Sequence, residues 1–161
     1  DIYASIVASP RFGWYNPMAE IDYSQSFLHT DGFDINKPSN RPCFNFRLNN
    51  RFNITRSLKA FLNMRYKTSQ LNDLQYTKPF ARVDIKLTKS FLNDALEIGV
   101  YANDLFKTDK ERWTMYGSHT IMTKDCYGYE RCVGMTVSYN FNTAKSKYKG
   151  TGAGNAEKKR L

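Results

Sequence analysis

The stretch 132–141 alternates between apolar and polar residues at every step. Val133, Met135, Val137, Tyr139 and Phe141 take one face, and Cys132, Gly134, Thr136, Ser138 and Asn140 take the other. An extended chain points successive side chains to opposite sides, so a period of two specifies a strand with one apolar face. The same period recurs upstream. In 43–54, Phe44, Phe46, Leu48, Phe52 and Ile54 oppose Asn45, Arg47, Asn49, Arg51 and Asn53, with Asn50 the one break. In 58–67, Leu58, Ala60, Leu62, Met64 and Tyr66 oppose Lys59, Asn63, Arg65 and Lys67, with Phe61 the exception. In 80–90, Ala81, Val83, Ile85 and Leu87 oppose Arg82, Asp84, Lys86 and Thr88. In 95–106, Leu96, Ile98, Val100 and Ala102 oppose Glu97, Gly99, Tyr101 and Asn103. Segment 18–29 carries the pattern weakly and 1–9 poorly. The expected fold class is all-β.

What the apolar face meets decides the kind of β protein. In a soluble sandwich it packs on a second sheet; in a membrane barrel it meets lipid while the polar face lines the lumen. Alternation alone does not separate these. Length does more: these segments run roughly 10–12 residues, against about 5–6 for an ordinary strand and about 9–11 for one that crosses a bilayer at a tilt. The mean hydropathy of −0.61 is compatible with a barrel, because half of each spanning strand is polar. No run of about 18 apolar residues is present, so a transmembrane helix is excluded.

The connections alternate short and long. Residues 55–57 and 91–94 make tight joins; 30–42, 69–79 and 107–131 are long, the first broken by Gly32, Pro38, Asn40 and Pro42. Outer-membrane barrels have short periplasmic turns and long extracellular loops. With the last strand running down into the periplasm, the pattern predicts seven spanning strands and puts Asp1 on the outer side. Segment 113–122 also alternates in part. Counting it as an eighth spanning strand would reverse the short and long connections, so it is expected above the membrane as a loop ribbon. An odd count, together with a start at Asp1 and no leader peptide, points to the C-terminal part of a larger barrel. The expected architecture is therefore an antiparallel up-and-down transmembrane β-barrel segment over 1–141. A flexible basic tail over 142–161 follows it.

Three stretches resemble the outer-membrane β-barrel family of Bacteroidetes, and with it the barrel of TonB-dependent receptors. Val100-Tyr-Ala-Asn103-Asp104-Leu105-Phe106 resembles the family's penultimate-strand motif. Gly134-Met-Thr-Val137-Ser-Tyr139-Asn-Phe141 resembles the terminal assembly signal, although here a tail follows the last aromatic. The tail over 145–161 is similar to the ending of several such proteins. The resemblance implies that Gly134, Val137, Tyr139 and Phe141 are read by the barrel-assembly machinery of a Gram-negative outer membrane. It further implies that an intact parent, with additional barrel strands and a plug, takes up nutrients.

The chemistry read from the residues is sparse. The tail holds six Lys/Arg and one Glu, or +5 of the net +9, so the basicity gives no case for a nucleic-acid partner. Gly150, Gly152 and Gly154 lack the strand and helix that a phosphate loop needs, and no cofactor is expected. His29 and His119 fall in or near outer loops with no base or orienting group beside them, and no catalytic or metal site emerges. Asn103 and Asp104 read as polar groups capping a strand end. Arg47, Arg51, Lys59, Arg65, Arg82 and Lys86 are all expected inward. They are either water-facing charges balanced by Asp84, Glu97 and others, or a positive lumen that favours anionic solutes or holds a plug. Lys and Arg of the outer loops are expected to meet lipopolysaccharide phosphates. Tyr66, Phe80, Phe91, Phe106, Tyr139 and Phe141 fall near strand ends, where interfacial aromatics sit. Cys126 and Cys132, six apart, could staple a hairpin mouth in an oxidising compartment; the alternative is two unpaired thiols. Two other architectures stay open: a self-contained eight-stranded barrel with a structural or adhesive role, and a soluble β-sandwich binding module.

Overall fold

The computed structural model describes residues 1–27, 41–127 and 131–141. They form eleven strands: β1 Ile2–Ala8, β2 Tyr15–Gln25, β3 Cys43–Asn53, β4 Leu58–Lys67, β5 Gln70–Asn72, β6 Gln75–Thr77, β7 Phe80–Phe91, β8 Leu96–Asn103, β9 Lys110–Tyr116, β10 Ile121–Tyr127 and β11 Cys132–Tyr139. Seven make one sheet in the order β1-β2-β3-β4-β7-β8-β11. Each of them is antiparallel to its neighbours. The other four make a smaller sheet, β10-β9-β6-β5.

The two sheets are joined in a way that fixes where the small one stands. The β5–β6 hairpin is inserted between β4 and β7, and β9–β10 between β8 and β11. Both host pairs are neighbours in the large sheet, so both insertions leave from the same rim. The opposite rim carries only short connections. Thr55 closes one: its Oγ1 accepts from the Leu58 amide at 3.0 Å, and its own amide donates to the Leu58 carbonyl at 3.1 Å. The turn after β7 is made by Leu92, Asn93 and Asp94, all with positive φ, which suits the twist of a tight hairpin. Segment 113–122 runs through the β9–β10 turn in the small sheet and is not a spanning strand of the large one.

Register sorts the faces. Rows of paired residues run across the large sheet, for example Ile21–Phe46–Tyr66–Ala81 on one side and Glu20–Arg47–Arg65–Arg82 on the other. The first face is apolar from β1 to β11, ending in Val133, Met135, Val137 and Tyr139. It is not covered. Among the described residues only two apolar side chains, Cys43 and Leu71, are buried, while Ile6, Met135 and Val137 are 72, 65 and 60% exposed. A sandwich would put the second sheet over this face and bury it. Among the described residues there is no second layer over this face, and its apolar side chains are exposed.

Both breaks in the sequence pattern have a local cause. Asn50 lies on the apolar face but is buried, accepting from the Tyr15 hydroxyl at 2.7 Å and donating to the Leu62 carbonyl at 3.1 Å. Its polar groups are therefore satisfied within the sheet. Phe61 lies on the polar face beneath the guanidinium of Arg51, 5.9 Å from the ring centroid, a cation–π arrangement.

Candidate functional site

The polar face of the large sheet gathers all six of the cations singled out in the sequence. Arg47, Arg65 and Arg82 stand directly opposite one another across β3, β4 and β7. Arg51, Lys59 and Lys86 lie in other rows of the same face. A ladder of three guanidiniums is repulsive unless compensated, and its two ends are. At one end, Asp22 accepts from Arg47 Nη2 at 2.6 Å, Asn45 Nδ2 and Ser5 Oγ at 2.8 Å and the Tyr3 hydroxyl at 3.2 Å. Glu20 takes Arg47 Nη1 at 3.2 Å. At the other end, Arg82 Nε lies 2.9 Å from both oxygens of Asp84, and its Nη1 is 2.8 Å from Asp109. Arg65 sits between them, makes no ion pair among the described residues, and lines two open depressions of about 510 and 300 Å³ on this face. Arg65 leaves a guanidinium open to an acidic group.

Asp104 ties the second network to the rim. Its carboxylate is buried, at 1% exposure. Oδ1 accepts from the Thr108 amide at 2.9 Å and, more weakly, from the Thr108 hydroxyl and the Asp109 amide. The Asp104 amide donates to Asp84 at 2.8 Å, and the Leu105 amide donates to the Val83 carbonyl at 2.8 Å. Asp104 adopts positive φ, a conformation that Asp tolerates because its short side chain bonds locally. The run Asn103-Asp104-Leu105-Phe106 thus ends β8 and turns the chain toward β9, with the Phe106 ring exposed.

On β11, Gly134 pairs with Tyr101, whose ring lies over it; a Cβ at 134 would run into the ring and its hydroxyl. Val137 and Tyr139 point to the apolar side, and Tyr139 packs edge-to-face on Phe141 with centroids 4.7 Å apart. Among the described residues the free side of β11 has no strand partner, and neither has that of β1.

Two bands of aromatic rings frame the apolar face. Trp14, Tyr15 and Phe52 pack together at the short-turn rim, with Phe12 beside Tyr15. Tyr23, Phe44, Phe46 and Tyr66 form a second chain of ring contacts toward the long-loop rim. From Phe44 to Phe52 is eight steps of about 3.3 Å, or ~26 Å along the strand and about 20 Å along the normal at the usual tilt. Aliphatic side chains such as Leu48, Met64 and Val83 fill the gap. A belt of that height, edged by aromatics and turned outward, fits a bilayer core.

A family model for the outer membrane protein beta-barrel family matches residues 4–139. The chain belongs to that family. No curated protein and no solved structure matches it. In an outer-membrane barrel an apolar belt turned outward is the face that meets lipid, and the opposite, polar face is the one that lines a lumen.

Several members of these networks escaped the sequence reading. Asp22 lies on a weakly patterned strand, and its role as a hub appears only when β1 and β3 flank it. Asp109 and Glu111 sit in what reads as a long loop. Glu111 accepts from Lys124 Nζ at 2.8 Å and Trp113 Nε1 at 3.1 Å, bridging the β9–β10 hairpin. The Lys124 ammonium first, and then the Trp113 indole, hold the Glu111 carboxyl below the usual glutamate range, and Glu111 in turn raises Lys124. Phe80 is a correction: it pairs with Lys67 and lies on the lumen side, because β7 starts one residue out of phase with a lipid-facing aromatic. Of the two alternatives for Cys126 and Cys132, this structure has the unpaired thiols. All three thiols are free. Cys126 Sγ donates to Glu111 at 3.7 Å in the small sheet, whereas Cys132 Sγ accepts from Asn103 at 3.4 Å in the large one. The residues belong to different sheets and have different partners. His119 is exposed in the β9–β10 turn; His29 and the tail over 142–161 lie outside the described residues.

Proposed function

We propose that the chain is the closing, C-terminal segment of a larger outer-membrane barrel in a Gram-negative bacterium, with a TonB-dependent receptor-like parent that takes up nutrients. The observation that carries this is the pair of open edges. In lipid an unpaired strand edge costs several kcal/mol per exposed backbone group, so β1 and β11 call for further strands between them. The cations of the polar face that make no ion pair among the described residues, Arg51, Lys59, Arg65 and Lys86, support a lumen that receives anionic solutes or the acidic surface of a plug. Gly134, Val137, Tyr139 and Phe141 act as the signal read by the assembly machinery, and the rim bearing the small sheet faces outward.

The test is to express residues 1–161 alone and joined to their native upstream sequence. Heat-modifiable, protease-resistant barrel is expected only for the longer protein. A compact heat-modifiable monomer from 1–161 alone would sink the reading and favour a self-contained barrel. Orientation is read separately in the longer protein with Cys43, Cys126 and Cys132 replaced by serine: a cysteine replacing His119 should react with an impermeant maleimide on intact cells, and one replacing Arg56 only after the outer membrane is opened.

A further inference from the structure

At the long-loop rim lies a depression of about 420 Å³ whose lining holds three cations and no carboxylate. Lys107 follows the turn after β8; Lys110 and Arg112 come from β9. Tyr127 of β10 gathers the two lysines, with Lys107 Nζ 5.0 Å and Lys110 Nζ 4.9 Å from its ring centroid. Arg112 is held by a hydrogen bond from Nη2 to the Pro79 carbonyl at 3.0 Å, and its Nε is buried with no partner. None of the three cations makes an ion pair among the described residues, whose bridges involve Arg47, Arg82 and Lys124 instead. Asp125 stands opposite Arg112 in the β9–β10 hairpin but makes no ion pair with it, so three cations are gathered near one carboxylate, and an anion relieves the remaining repulsion.

The depression shares Tyr66 and Ala81 with a second groove of about 390 Å³ on the lipid face, lined also by Ile21, Phe46, Leu48 and Val83. The cationic depression and the apolar groove are therefore neighbours, with Tyr66 and Ala81 in both linings. A free phosphate would use only the cationic depression. A phosphorylated lipid would use both: phosphate among the cations, acyl chain along the groove.

We infer that Lys107, Lys110 and Arg112, with the Tyr66–Ala81 groove beside them, form a seat for a phosphate-bearing lipid of the outer leaflet. This rests on the outward orientation of that rim proposed above. Each basic side chain near an anionic headgroup contributes on the order of 1 kcal/mol, or about fivefold in affinity.

The experiment uses the full protein that contains this chain, purified in neutral detergent and read by native mass spectrometry. The probes are bisphosphorylated lipid A, its dephosphorylated form, and inorganic phosphate. Wild-type protein should retain the phosphorylated lipid at least about tenfold better than the dephosphorylated one. K107Q/K110Q/R112Q should bring the two within about twofold, and R56Q, at the opposite rim, should change nothing. The two-lipid comparison on wild-type protein needs no variant and stands even if the triple substitution prevents assembly. Equal retention of both lipids by wild type, an unchanged preference in the triple variant, or displacement of the lipid by millimolar inorganic phosphate would each overturn the proposal. The binding measurement is independent of orientation. An unlabelled cysteine at 119 together with retained lipid binding would therefore place the fault in the topology and not in the seat.

Discussion

The contact between Gly134 and Tyr101 makes a sharp prediction because two effects oppose each other there. A glycine inside a strand is unfavourable by roughly 0.5–1 kcal/mol relative to alanine, and valine is among the best strand residues. On propensity alone, Gly134→Val should stabilise β11. The structure says otherwise: the Tyr101 ring occupies the space over Gly134, and a Cβ would meet its hydroxyl, Cζ and Cε1 together. The ring must leave its rotamer and its half-buried position, and forcing extra carbons into a filled site costs about 1–3 kcal/mol. Steric cost wins while Tyr101 is present. With Tyr101→Ala the clash is gone and propensity should win, so the same substitution becomes neutral or stabilising by up to about 1 kcal/mol. The assay is a double-mutant cycle on the full protein folded into lipid vesicles, with the folded fraction followed against urea by heat-modifiable migration. A loss of stability for Gly134→Val that is the same in both backgrounds would refute the steric account and leave the glycine needed for another reason.

Asp104→Ala should destabilise the barrel by about 1–3 kcal/mol, because it strands the Thr108 and Asp109 amides, and Asp104→Asn should cost less since it keeps an acceptor; urea midpoints and proteolytic nicking after β8 measure both. The Glu111 carboxyl is held down by Lys124 and Trp113, so the bonds across the β9–β10 hairpin are present above the ordinary glutamate pKa and lost as pH falls through the lowered folded value. In a Trp14→Phe background, Trp113 emission should shift with a midpoint below that of a free glutamate, and Glu111→Gln should abolish the transition. Trp14 and Trp113 should also differ in lipid contact: brominated lipids should quench Trp14, in the short-turn aromatic band, and leave Trp113 unquenched. Equal quenching of both would contradict the bilayer placement.

Strand content was readable because the period-two pattern is local: the turn-bounded runs in β3, β4, β7 and β11 specify both the strand and its apolar face. The ends were less so. β2 starts at Tyr15, earlier than the weak alternation around Ile21 implies, because Asn16 and Pro17 gain strand structure only by pairing with Arg51 and Asn50. The small sheet was largely hidden. β5 and β6 are three residues each, too short to show a period, and pairing with β9 supplies what their own sequence lacks.

By itself the sequence determined that the chain is all-β, which face of each long strand is apolar, and that six cations share the polar side. Those are properties of alternation, which every pair of neighbouring residues records. Only the tertiary structure decided which charges are compensated and which are left over. Asp22 and Asp109 reach Arg47 and Arg82 across a strand pairing and a turn that no local pattern encodes, whereas Asp84 meets Arg82 along one strand, as alternation implies; Arg51, Lys59, Arg65, Lys86 and the Lys107–Lys110–Arg112 cluster make no ion pair among the described residues. It also decided that none of the described residues folds over the apolar face. Whether such a face is a core or a lipid surface depends on what stands opposite, and that is fixed by the path of the chain and not by its period.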